Sequence, residues 1–179
     1  MKKILLLSDT HSYLDSAIMK HVAEADEVWH AGDIGNFAVY DTLDAAAKTL
    51  RIVHGNIDEY SMHTVAPENL DFTVEGLRVF MTHIGGYPGR YNGRVKDILR
   101  GEPGIDLFIC GHSHILKVMP DKMHNLLHMN PGACGIYGFH LMRTMIRFQI
   151  EEGRILKPEV IELGKRGAIT PESSVFLET

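Results

Sequence analysis

The chain is short of cysteine, of basic charge and of long apolar runs. Its two cysteines, Cys110 and Cys134, form no Cys-x-x-Cys pair, which excludes a disulfide framework and a thiolate zinc cluster. Cys110 closes an apolar stretch, so the thiols are expected to be small buried hydrophobes. Lys and Arg total 18 against 23 Asp and Glu, a formal charge of −5, so no basic stripe offers a dedicated nucleic-acid surface. No stretch approaches the ~20 apolar residues of a membrane span. The opening Met1-Lys2-Lys3-Ile4-Leu5-Leu6-Leu7 imitates a secretory leader, but the apolar run stops at Ser8-Asp9, short of the roughly seven to fifteen residues a leader uses. A cytoplasmic protein without a membrane partner is the expectation. Hydrophobic residues at 45% and charged residues at 23% suit a globular domain that buries its core without staples.

What the chain does have is a recurrent pairing of strand and donor. Ile4-Leu5-Leu6-Leu7 runs into Ser8-Asp9-Thr10-His11, Val28-Trp29-His30 into Ala31-Gly32-Asp33, and Ile52-Val53-His54 into Gly55-Asn56. Val79-Phe80-Met81-Thr82 ends at His83, and Leu107-Phe108-Ile109-Cys110 at Gly111-His112-Ser113-His114. Such short apolar runs read as buried strands. Donors at the ends of several strands converge where an α/β sheet presents its strand termini. Asp9, His11, Asp33, Asn56, His83, His112 and His114 are too many donors for one tetrahedral ion and about right for two. Oxygen and nitrogen without sulfur favour Mn²⁺ first, with Zn²⁺ or Fe²⁺ next.

Helical spacing of Leu14, Ile18, Val22 and Ala25 predicts a helix over 13–25, started by a capping box of Ser12 and Asp15. A second helix is expected over 37–48, capped by Asn36, with Phe37, Tyr40 and Ala47 inward. A third is expected over about 91–100, with Val95, Ile98 and Leu99 inward and a stop at Gly101-Glu102-Pro103-Gly104. Three hairpins follow from turn residues: 70–74 with 78–81 around Glu75-Gly76, 115–119 with 126–129, and 140–150 with 154–163 around Glu151-Glu152-Gly153. The fold class is therefore α/β, with two mixed β-sheets packed face to face and flanked by helices. Residues 1–163 form one domain. The tail from Gly164 to Thr179 has no clear periodicity and reads as a flexible or docking extension.

Taken in order, the Asp-x-His, Gly-Asp, Gly-Asn, strand-terminal His and Gly-His-x-His segments resemble the calcineurin-like metallophosphoesterase superfamily. The small size and Asn130-Pro131-Gly132 are most similar to its compact bacterial and archaeal phosphodiesterase branch, over about residues 2–163. The resemblance implies two divalent ions, one held by Asp9, His11, Asp33 and His114. The other is held by Asp33, Asn56, His83 and His112, with the Asp33 carboxylate as bridge. It implies a phosphodiesterase in which a metal-bound hydroxide attacks phosphorus in line. Asn56 would also orient the phosphoryl group, and a small phosphate ester would be the substrate.

Two positions depart from the family pattern. Many members carry Gly-Asn-His-Glu/Asp, whose His protonates the leaving oxygen; this chain has Gly55-Asn56-Ile57-Asp58, and isoleucine has no proton to give. After His83 stands Ile84-Gly85-Gly86 where relatives often repeat Gly-His. In the glycine-rich loop 85–93, Arg90 is the candidate for gripping phosphate oxygens. His30 and His54, just before donor motifs, are candidates to support the ligands from behind. His21, His63, His124, His128 and His140 read as ordinary polar residues. A phosphomonoesterase is the nearby rival. A non-catalytic scaffold of the retromer-subunit type is the rival from another class. Oligomeric state is open.

Overall fold

Strand β1 (Lys2–Leu7) shows why its apolar run does not alternate with polar residues. Leu5 and Leu7 join one buried cluster with Ile18, Val22, Val39 and Leu43. Ile4 and Leu6 join another with Trp29, Val79, Met81, Leu107 and Ile109. Successive side chains of a strand point to opposite faces, so a strand covered on both sides must be apolar at every position. The computed structural model describes residues 1–101 and 104–175. Glu102, Pro103 and residues 176–179 lie outside it, and with them part of the expected helix stop and the end of the tail.

The remaining elements are α1 (Ser16–Glu24), β2 (Glu27–His30), α2 (Phe37–Ala46), β3 (Leu50–Ile52), β4 (Asn69–Val74), β5 (Leu77–Thr82) and α3 (Gly93–Leu99). They continue with β6 (Leu107–Ile109), β7 (Leu116–Asp121), β8 (Leu126–Pro131), β9 (Met142–Glu151) and β10 (Arg154–Lys165). One five-stranded sheet has the order β10-β9-β1-β2-β3, the other β4-β5-β6-β8-β7. Both are mixed: β1, β2 and β3 run parallel beside an antiparallel β9, and β5, β6 and β8 run parallel between antiparallel edges. Helices α1 and α2 cover the outer face of the first sheet, and α3 covers the second through Val95 against Phe80 and Phe108. Trp29 fills the middle layer, edge-on to Phe72 at 5.0 Å and Phe148 at 5.6 Å. Its indole N–H donates to Glu27 at 3.0 Å, so the polar tip is satisfied.

The hairpins form as expected. Glu75-Gly76 and Glu152-Gly153 each place both residues at positive φ, the turn that matches the strand twist. The helices differ in detail. α1 begins at Ser16 rather than 13, because Asp15 itself is the N-cap, accepting from the Ile18 N–H at 2.9 Å. Ser12 accepts from the Asn36 N–H instead, and Tyr13 and Leu14 are buried in the loop. α2 is capped by Asn36 as expected, and Tyr40 and Ala47 pack against the core as expected, beside the more deeply buried Val39, Thr42 and Leu43, while Phe37 is exposed. α3 is the shorter helix 93–99, capped by Asn92. The described part of the tail docks: Tyr13 O–H meets Ser173 Oγ at 2.7 Å, and the Leu14 N–H donates to Ser174 Oγ at 3.0 Å.

Candidate metal centre

Parallel pairing carries the C-terminal ends of β1, β2, β5 and β6 to one edge of the sandwich, and the loops leaving them are laced together. Asp9 N–H donates to the Gly32 carbonyl at 2.9 Å, His11 N–H to the Asp33 carbonyl at 3.0 Å, and Gly111 N–H to the His83 carbonyl at 3.0 Å. Asp9, His11, Asp33, His112 and His114 all have positive φ, between 48° and 65°. For residues other than glycine that backbone costs roughly 1–3 kcal/mol each and persists only where surrounding contacts enforce it. Here those contacts aim five donors at one place. Gly55 is required for a related reason: a Cβ there would collide with the Asp33 carboxylate and main chain.

The donors form two groups that share one residue. Asp9, His11, Asp33 and His114 bring a ligand atom each within 4.8 Å of one another, and so do Asp33, His83 and His112. The two oxygens of Asp33 face different groups, Oδ1 lying 3.1 Å from His83 Nε2 and Oδ2 3.7 Å from His11 Nε2. His114 Nε2 stands 3.1 Å from Asp9 Oδ1 and 3.2 Å from His11 Nε2. Asp9 is fully buried, yet neither oxygen has a hydrogen bond; His83 Nε2 and His114 Nδ1 share that condition. Several of these contacts are close without hydrogen-bond alignment. A buried carboxylate left so is costly unless a cation meets it, so the residues fit divalent metal ions. Asn56 is exposed and lines a cleft of about 110 Å³ beside the second group, with His54, His83, Ile84 and Arg94.

The electrostatics of Asp33, His11 and His112 suit that use, and those of His83 lean the other way. Burial penalises ionisation of Asp33, but the neighbouring His83 ring, the Ile57 N–H and His11 outweigh it and hold the pKa below the ordinary value. Burial also opposes the charged form of His83, where Asp33 and Asp9 prevail and raise the pKa. In His11 and His112 burial wins and lowers the pKa, favouring the neutral ring that can ligate.

The supporting residues were partly legible beforehand. His30 is fully buried and pushed down by burial to about 4. Its Nδ1 accepts from the Gly32 N–H, so the neutral ring carries its proton on Nε2, 2.9 Å from Thr10 Oγ1. It thus braces the loops behind Asp9 and Asp33, as its place in sequence suggested. Asp58 was missed: its carboxylate accepts the N–H groups of Ile34, Gly35 and Gly55 and ties the Asp33 loop to the Asn56 loop. The acidic last position of the family's Gly-Asn-His-Glu/Asp pattern was the available signal. Asn130 braces the His112 loop by donating to the Gly111 carbonyl at 2.8 Å.

Some expectations land elsewhere. Arg90 is exposed on a turn closed by its N–H to the Tyr87 carbonyl, and it does not line the cleft beside Asn56. Arg94 does, held by Glu68, Asn69 and Thr82. Ile57 is 44% exposed, its N–H on Asp33 Oδ1 at 3.2 Å. His54 lines the cleft and stacks on His63 at 3.7 Å. Cys110 and Cys134 are buried and pushed up to about 12 by burial, which leaves them inert thiols.

Comparison with known proteins gives a consistent answer. The model of the calcineurin-like phosphoesterase superfamily domain matches residues 1–153. A probable metallophosphoesterase of Methanocaldococcus jannaschii is 28% identical over 134 residues, a match spanning 72% of this chain and 66% of that protein. A structure described as a novel archaeal phosphodiesterase superposes with a TM-score of 0.70 at 21% identity, over 90% of this chain and 99% of that one. Vps29 of Entamoeba histolytica, complexed with zinc, superposes with a TM-score of 0.67 at 17% identity, over 89% of this chain and 98% of that one. The latter two likenesses speak to the fold. With the family model covering most of its length and the donors gathered at its strand ends, the chain belongs to the calcineurin-like phosphoesterase superfamily.

Proposed function

We propose that the protein is a dinuclear, metal-dependent phosphodiesterase. The observation that carries the reading is Asp33, whose two carboxylate oxygens face two separate groups of histidines. When bound, two divalent ions would supply Lewis acidity toward phosphoryl oxygens and bring the pKa of a water nucleophile toward neutrality. The first would be held by Asp9, His11, Asp33 and His114, the second by Asp33, Asn56, His83 and His112. Manganese is the first choice by donor type, with zinc or iron next. The Vps29 structure complexed with zinc supports metal uptake on this fold.

The chain's own residues divide the remaining work. Asp9 and Asp33 contribute two negative charges, so two divalent ions leave the site cationic and suited to an anionic ester. Asn56, exposed in the cleft, donates its amide N–H to the phosphoryl group when its oxygen faces metal. Arg94 and His54 border the same cleft; Arg94 is better placed than Arg90 to meet a substrate oxygen. Ile57 offers no proton, so esters with good leaving groups are favoured. A diester monoanion suits the charge better than a monoester dianion. A small phosphate ester in the cytoplasm completes the reading.

The test is metal-stripped protein reloaded with Mn²⁺ or Zn²⁺ and assayed against mono- and diesters. Two metal equivalents and preferential diester hydrolysis are expected. Unchanged activity in chelator, or no metal uptake, overturns the proposal. Two bound metals without hydrolysis of any ester would favour the scaffold reading instead.

A further inference from the structure

The segment 135–141 between β8 and β9 holds three large apolar side chains in solvent: Tyr137 is 59% exposed, Phe139 89% and Leu141 77%. Isolated exposed apolar residues need no explanation, but a cluster beside a polar site marks a binding surface. This cluster stands on the rim of the metal centre. The Tyr137 ring meets His11 edge-on at 5.7 Å, and the Phe139 ring lies 6.2 Å from His114. The two histidines they touch are those of the first donor group.

The segment is also fastened from both ends. Gly135 N–H donates to the Asp9 carbonyl at 3.1 Å, and Cys134 N–H to the Ser8 carbonyl at 3.1 Å, so the loop is stitched to the loop that carries Asp9. A Cβ at Gly135 would collide with the Thr10 carbonyl. From the far end of the chain, the Arg166 guanidinium donates to the carbonyls of Ala133, Gly135, His140 and Met142. Largely exposed rings next to two donor histidines, on a segment whose backbone is fastened at both ends, form a prepared surface.

We propose that segment 135–141 is an aromatic wall of the substrate site, and that it selects phosphodiesters carrying a flat aromatic ring on an ester oxygen. The proposal rests on the phosphodiesterase reading and names its substrate class. Exposed aromatic rings bind another ring by offset or edge-on stacking, and the Tyr137 hydroxyl adds a polar tip. An aryl oxygen also departs readily, so such an ester asks least of position 57, where Ile57 supplies no acid.

The experiment compares methyl phenylphosphonate with methyl methylphosphonate, two monoanions whose methoxide leaves slowly, titrated calorimetrically into metal-loaded protein, together with turnover of methyl aryl phosphodiesters. Wild type is expected to bind the phenyl compound about tenfold more tightly. In Tyr137→Ala/Phe139→Ala the preference should shrink to within about twofold. Metal content is checked in both proteins because the rings neighbour His11 and His114. Melting temperature and affinity for methyl methylphosphonate should stay as in wild type, since the removed rings are largely solvent-exposed. Equal affinities for the two phosphonates in wild type, with hydrolysis intact, overturn the wall alone, as does a preference that the double variant keeps. Failure of metal-loaded wild type to bind either phosphonate or to hydrolyse any ester overturns the phosphodiesterase reading with it.

Discussion

The two donor groups are unequal. The first has two carboxylates, one of them fully buried without a hydrogen bond, and histidines at only 14% side-chain exposure. The second has no carboxylate of its own: it borrows Asp33, adds buried His83, and ends on exposed His112 and Asn56. Coulombic attraction strengthens as water is excluded, so the first group should hold its ion tightly and the second should exchange readily. Asp33 couples them, and substitutions can break that inequality or sharpen it.

The largest effect is expected from Asp33→Asn, which removes the charge facing both groups. Turnover should fall at least about 10³-fold, with loss of the second metal equivalent first. Normal turnover with two metals bound would refute the sharing. Asp9→Asn should be milder for activity but should act on stability in the opposite sense. Removing a buried carboxylate that has no hydrogen bond relieves the metal-free protein, so its melting temperature should rise while the stabilisation gained on adding Mn²⁺ shrinks. A metal-free variant that melts below wild type contradicts this account of Asp9.

Next comes Asp58→Ala, which releases three N–H groups that tie the Asp33 and Asn56 loops. Metal affinity at the second group should drop about 10–100-fold, measurable by competition with a chelating dye; a uniform loss at both groups would show that Asp58 supports the fold rather than the inequality. The smallest effect is expected from Ile57→His. Alkyl diesters should gain, by less than about tenfold, and more than nitrophenyl diesters, because an acid matters most where the departing oxygen is most basic. A leaving-group series with metal content checked in both proteins reads this directly. A flat series in wild type would point to His54, which lines the cleft, as an acid already present.

The strands were legible because burial on both faces makes residues 4–7 of β1, 79–81 of β5 and all of β6 apolar, and the donor residues because each follows such a run within a few residues. The start of α1 was not. Helical spacing of Leu14 and Ile18 speaks only to burial, and Leu14 is buried from a loop that Asp15 then caps. Arg94 was hidden for a similar reason: it sits on α3, and only the packing of α3 against the second sheet turns it toward the cleft. Tyr137 and Phe139 carry no periodic signal at all. Their place depends on Arg166, whose carbonyl partners lie 24 to 33 residues earlier in sequence.

The left-handed backbone at Asp9, His11, Asp33, His112 and His114 has an evolutionary consequence. At each of these positions glycine would relieve the backbone and remove a donor. A lineage freed from the need for metal would therefore drift toward donor loss under ordinary pressure for stability. Retention of all five, against the local preference of the backbone, is what continued dependence on bound metal would maintain. Screens that select variants of this protein for thermal resistance alone should accordingly enrich substitutions at these five sites and return stable, metal-blind descendants.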